Sequence, residues 1–233
     1  AVGRGFFGDQ AASWDAVTTA IGGPDFFAFP YVYPPLWAVL AAPVTEILGV
    51  RGFNNAMLLV QVPMLAASVL LAGRLARPEK MPFAGWVVAG AVILPLSLQA
   101  NVALVQNQPT IMATFLILLA FVCLDTGRPV AAGAALALAA AIKLTPAAFA
   151  LLFLLDRQYR ALLAFALIGG ALGLFSLALA GIDLHLTFLA TVRAIREQAL
   201  VNAVNVSLLP ALMTLGALFG LRPPFDTEST FAV

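Results

Sequence analysis

VAAGAALALAAAIKLTPAAFALLFLL, residues 130–155, is apolar throughout except at Lys143-Leu144-Thr145-Pro146. One bilayer crossing needs about 20 apolar residues, so length alone permits a single spanning helix. The interior argues otherwise. Pro146 lacks an N–H and pushes the residue before it out of helical geometry. A single helix would also put Arg128 and the Arg157/Arg160 pair on opposite sides of the membrane, against the tendency of basic loops to stay cytoplasmic. A tight hairpin of two short helices turning near Lys143 keeps those arginines on one side, and we read the stretch that way.

The rest of the chain follows from that choice. Phe53 to Leu71 reads as a full-length span containing Pro63, followed by a basic loop with Arg74, Arg77 and Lys80. Ala84 to Val105 reads as the next span. Gln106-Asn107-Gln108-Pro109 makes a polar turn, and Thr110 to Leu124 returns to the turn at Asp125–Pro129. Beyond the hairpin, Ala161 to Ala180 is a span carrying Gly169, Gly170 and Gly173, small residues that permit close helix contact. Residues 182–205 read as an outer amphipathic loop, and Val206 to Leu221 as a last span. Before all of these, residues 1–50 read as an extracytoplasmic loop with juxtamembrane helices. One is a short amphipathic helix over 10–21 that ends at Gly22-Gly23-Pro24; the other, 34–48, is about 15 residues and too short to cross. The fold class is therefore all-α, a polytopic transmembrane bundle forming a single membrane domain over 1–233. Basic loops at 74–80, 125–128, 156–160 and 222 go to the cytoplasm; 1–33, 106–109 and 182–205 go outside.

Composition agrees. Of 233 residues, 62% are hydrophobic and 10% charged, against roughly 25% charged in soluble domains. The mean hydropathy is +1.00. A net charge of +1 gives no reason to expect nucleic-acid binding. Cys123 is the one cysteine, so no disulfide can form within the chain. Neither a nucleotide-binding glycine loop nor a metal-ligand pattern such as HExxH or CxxC is present, and His185 stands without ligand-spaced partners. No repeat mirrors one half on the other, which weighs against an inverted-repeat transporter. The chain starts without Met and ends just after a polar Asp226-Thr227-Glu228, and we expect it to be part of a longer protein.

The carboxylates cluster at the start, in GDQAASWDAVTTAIGGPDFFAFPYVYPPLW, residues 8–37. Asp9 reads either as a helix N-cap or as a general base at the membrane surface, able to take a proton from an attacking hydroxyl. Asp15 and Asp25 are alternates for the same role, Asp25 reading first as a turn residue. Lys143 is either a lysine whose ammonium snorkels to the interface or a cation that holds a lipid-borne phosphate, with Thr145 as an added donor. Asn107 and Gln108 either solvate a turn or bind hydroxyls. Arg193 and Arg196, three apart on one helical face, either meet lipid headgroups or form a second phosphate clamp.

NQPTIMATFLILLAFVCLDTGRPVAAGAALALAAAIKLTPAAFALLFLLDRQYRALLAF, starting at Asn107, resembles the core of the family-87 glycosyltransferases. The matching positions are Asn107-Gln108, Gly127-Arg128, Ala132-Gly133, Lys143 with Pro146, and Arg157 to Arg160. The cap is similar too, with Asp9, Gly22-Gly23, Tyr31 and Tyr33-Pro34-Pro35-Leu36, and Asn205-Val206-Ser207-Leu208 looks like a late outer-loop motif of the family. Two positions depart: Asn107 stands where glycine is usual, and Gln10 where an aromatic is common. The resemblance, over about 8–215, implies a GT-C-like enzyme in a bacterial plasma membrane with its active site extracytoplasmic. It would move a sugar, mannose in type, from a polyprenyl-phosphate donor to a glycolipid or cell-envelope glycan acceptor, with inversion. It implies Asp9 as base, and Lys143, Thr145, Gln108, Asn107, Arg193, Arg196, Tyr33 and Asn205 as binding residues. It calls for no cofactor and no nucleotide; a divalent ion is compatible but nothing in the sequence requires one. Two other readings stay open: a non-catalytic accessory subunit with a membrane-protein partner, and a transporter of lipid-linked substrate.

Overall fold

The computed structural model describes residues 33–105 and 107–196. The expected amphipathic helix at 10–21, the aspartates at 9, 15 and 25, Asn205 and the span at 206–221 lie outside them. Residues 33–185 belong to one compact unit, and 186–196 are the described part of a second. Among the described residues every regular element is helical.

Pro34 and Pro35 open the first helix, Pro35 at a position where a missing N–H costs nothing. The segment Pro35–Ala76 breaks at Gly49, whose φ of 66° and ψ of 170° suit only glycine. The break leaves α1, Pro35–Gly49, and α2, Arg51–Ala76. At about 1.5 Å per residue, α2 is long enough to cross a bilayer and α1 is not, as expected. Against α2 packs α3, Phe83–Leu96. Gly73 and Gly90 admit the close contact: a Cβ on Gly73 would meet Trp86 at 2.6 Å, and one on Gly90 would meet Val69. The Trp86 indole N–H donates to the Val69 carbonyl at 2.8 Å.

The span expected over 84–105 is not one helix. The α3 axis turns by 65° into α4, Leu98–Val105. Serine at the break explains the turn. Ser97 is extended, with ψ of 117°, and its Oγ accepts from the Ala100 N–H at 3.4 Å, as an N-cap does. The Asn101 side-chain amide donates to the Pro95 carbonyl at 2.7 Å and to the Ser97 carbonyl at 3.0 Å, the latter also accepting the Asn101 backbone N–H at 3.1 Å.

The centre is a pair of short helices, α5, Thr110–Asp125, and α6, Pro129–Ile142. Ala132, Leu136 and Ala139 recur at helical spacing on one fully buried face of α6. Ala120 faces them, and the small side chains allow close approach. After Lys143 the chain runs through a 3₁₀ turn, Thr145–Phe149, into α7, Ala150–Leu155. The hairpin is present. Lys143, at the far end of α6, reaches Thr110, while Gly133, near its start, lies against Ala161, Ala164 and Phe165 just after the next turn. The chain has gone out along α6 and come back over 145–155. Phe153 fills the core between them, and Phe149 meets Phe121 edge to face with centroids 5.7 Å apart.

The last described helix, α8, Tyr159–Arg196, breaks at Gly181 (φ 76°). Residues 182–196, read from sequence as part of an outer loop, are helical. His185 bridges the break: Nδ1 lies 2.8 Å from the Gly181 carbonyl and Nε2 2.9 Å from the Ser176 hydroxyl. Large apolar side chains on the outside, among them Val88, Ile93, Leu167 and Leu174, are exposed to what a bilayer would supply.

A methyl group on Gly133 would lie 2.7 Å from the Phe165 nitrogen and 2.8 Å from the Ala164 Cβ, whereas one on Gly170 meets nothing within 4 Å. Gly133→Ala should therefore force α6 and α8 apart and cost about 1–3 kcal/mol. Gly170→Ala should be neutral or gain up to about 1 kcal/mol from helix propensity. Unfolding of the two variants in mixed micelles separates them.

Candidate functional site

Three helices of this unit end in the same way, and those ends define its two poles. After α4, the N–H groups of Asn107 and Gln108 close back on Leu104 and Ala103 at 3.1 and 2.7 Å. After α5, Gly127 and Arg128 close on Leu124 and Cys123; after α7, Arg157 and Gln158 close on Leu154 and Phe153. Each is a Schellman closure, which requires a left-handed residue after the helix. Asn107, Gly127 and Arg157 have φ of 52°, 70° and 55°. Asparagine is the side chain that tolerates this conformation best after glycine, so its presence where the family resemblance leads one to expect glycine leaves the turn intact.

Around Asn107 a polar group assembles. Its side-chain amide donates to the Asn54 carbonyl and to Asn54 Oδ1, both at 3.2 Å. Its Oδ1 accepts from Gln61 Nε2 at 2.9 Å. Gln61 is fully buried on α2, and among the described residues its own Oε1 has no hydrogen-bond partner. Three residues beyond Asn107, Thr110 begins α5, and its hydroxyl accepts from Lys143 Nζ at 3.4 Å. The Tyr33 side chain also bonds Thr110; burial raises the Tyr33 phenol pKa above its ordinary value, and that bond draws it partly back. Lys143 itself caps α6 with extended backbone (φ −144°, ψ 130°), its N–H on the Ala139 carbonyl. A cation there complements the negative end of the α6 dipole. Among the described residues its ammonium has the Thr110 hydroxyl as its polar partner and no carboxylate. The first N–H groups of α5 have no acceptor within the helix and favour an anion. A half-buried ammonium, two hydroxyls and a helix N-terminus thus meet at one pole.

Of the residues singled out from sequence, the structure brings Tyr33, Asn107 and Lys143 together around Thr110. Gln108 closes the same turn through its backbone. Thr145, exposed, opens the 3₁₀ turn two residues after Lys143. Arg193 belongs to the second unit, and the Arg196 side chain is outside those described. Sequence reasoning missed Asn54, Gln61 and Thr110. Gln61 could have been found, since an amide inside an apolar span is costly and calls for a reason. The opposite pole carries Arg128, Arg157 and Arg160 at the other ends of α5, α6 and α7. Because α2 runs alongside α5 from the same end, its basic last turn at Arg74 lies there as well.

Helices long and apolar enough to cross a bilayer, together with this separation of charge, define a multi-pass membrane protein. The chain matches the family model of glycosyltransferase family 87 over residues 31–232 and belongs to that family. Its class of chemistry is accordingly glycosyl transfer at a membrane. No curated protein and no solved structure matches it.

If the poles face opposite sides of the bilayer, cysteines placed in a Cys123→Ser background report it. Thr145→Cys and Thr126→Cys, both exposed, should react with a membrane-impermeant maleimide from opposite sides of sealed vesicles. Labelling of both from one side would overturn the arrangement.

Proposed function

We propose that the protein is a glycosyltransferase of the bacterial plasma membrane that moves a sugar, mannose in type, from a polyprenyl-phosphate donor to a glycolipid or cell-envelope glycan on the extracytoplasmic face. The observation that carries this reading is Lys143: an ammonium with a hydroxyl beside it and no described carboxylate, at the pole away from the basic turns. A lipid-borne phosphate arriving from the bilayer suits it in charge and place. Thr110 and Tyr33 add hydroxyls, and the amides of Asn107 and Gln108 line the adjoining turn. Asp9 is assigned as general base from the sequence, with Asp15 and Asp25 as alternates; Arg193, Arg196, Thr145 and Asn205 remain candidate contacts to donor or headgroup.

In the proposed step the acceptor hydroxyl attacks the anomeric carbon from the face opposite the phosphate. Asp9 takes the hydroxyl proton. The bond from the anomeric carbon to phosphate oxygen breaks, and polyprenyl phosphate leaves with the electron pair, inverting the centre. Lys143 stabilises the negative charge that grows on the phosphate. The proposed step calls for no nucleotide, and a divalent ion is compatible with it.

Transfer from radiolabelled polyprenyl-phosphate mannose, in membranes carrying the complete protein, tests this. Asp9→Ala should lower the rate by about 10²–10⁴-fold, and Lys143→Met by about 10²-fold, at unchanged protein level. Full activity in Asp9→Ala moves the base to Asp15 or Asp25. An inactive wild type overturns the donor assignment and favours an accessory subunit.

A further inference from the structure

We infer that Gln61, buried in α2, is a positioning residue that sets the phosphate-binding geometry of Lys143 through Asn107 and Thr110; the inference rests on the donor reading above. The path is short and stiff. Gln61 Nε2 holds Asn107 Oδ1 at 2.9 Å, and Asn54 holds the amide nitrogen of the same side chain. Asn107 is thereby fixed to α2 from both sides, although it lies 46 and 53 positions away in the chain. Between Asn107 and Thr110 stand only Gln108 and Pro109. The first is closed on Ala103 by its N–H at 2.7 Å. The second is buried, with φ held at −68° by its ring. A displacement of Asn107 therefore passes to Thr110, whose hydroxyl accepts the Lys143 bond.

A second observation concerns the cost of Gln61. Among the described residues its buried Oε1 has no hydrogen-bond partner, and an unsatisfied acceptor in an apolar span offsets part of what the Asn107 bond contributes. Leucine or methionine would fill the volume without it. What glutamine supplies that neither can is the N–H on Asn107. That bond also selects the left-handed turn residue as asparagine. Glycine would satisfy φ of 52° but offers no acceptor to α2.

Binding to the complete protein purified in lipid nanodiscs is the test, with polyprenyl phosphate and uncharged polyprenol as probes. Gln61→Met should weaken polyprenyl phosphate on the order of tenfold, the size that outer partners of a binding group carry elsewhere. It should leave polyprenol unchanged. Asn107→Gly, which keeps the turn but removes the bonds to both Gln61 and Asn54, should lose at least as much. In a Lys143→Met background Gln61→Met should lose nothing further, since residues acting through one another are not additive. Wild-type phosphate affinity in Gln61→Met, or an equal loss for polyprenol, would overturn the inference while leaving the proposed function standing. A wild type that binds phosphate no better than polyprenol would overturn the donor reading and this inference with it. Where Gln61→Met does not fold, Asn107→Gly decides: wild-type affinity there, or failure of both to fold, assigns the amide a structural role and overturns the inference.

Discussion

Inside hydrocarbon every backbone N–H and C=O must find a partner in the protein, because there is no water to supply one. That constraint shapes several irregular points among the described residues. Where α4, α5 and α7 stop, left-handed Asn107, Gly127 and Arg157 fold the last N–H groups back onto open carbonyls. Where α3 turns into α4, Asn101 covers the carbonyls of Pro95 and Ser97. Where α8 breaks at Gly181, His185 covers that carbonyl and links it to Ser176. At these points, among the described residues, polar side chains sit where the backbone would be left bare.

The same constraint places the chemistry. A hairpin over 130–155 needs a turn, and the turn at Lys143 lies at the level where α5 begins. An ammonium at a helix C-terminus and a helix N-terminus carrying a hydroxyl are thus brought side by side. Most of the described basic residues, Arg74, Arg128, Arg157 and Arg160 among them, lie at one pole, and Lys143 lies at the other with Arg51 at the start of α2. A cation on the side where basic residues are scarce has a reason to be there beyond topology, and under the proposed function that reason is the donor's phosphate.

Much of the architecture was legible because membrane chains write their spans in composition. The hairpin is expected from Pro146 and from the arginines flanking 130–155; the backbone leaves the helix at Lys143, and Thr145 and Pro146 open the 3₁₀ turn that follows. The bend at Ser97 was not read, although LPLSLQAN holds the proline, the capping serine and the asparagine that make it. An apolar average over 84–105 hides three polar residues that act locally. At the candidate site, Lys143 and Asn107 stood out as polar groups among apolar neighbours. Gln61 was open to the same reading and was passed over; its pairing, like that of Asn54, is with a turn some fifty positions away, and no local pattern encodes that partner. Asp9 remains a reading of the sequence.

The central claim is that Lys143 holds the donor phosphate. An experimental structure of the complete protein in nanodiscs, with polyprenyl phosphate bound, tests it most directly. The phosphate is expected within hydrogen-bond distance of Lys143 Nζ and of the Thr110 hydroxyl, with the lipid chain leaving toward the bilayer. A phosphate seated elsewhere, with the Lys143 ammonium turned to water or lipid headgroups, would contradict the claim and make Lys143 a snorkelling residue of the hairpin turn.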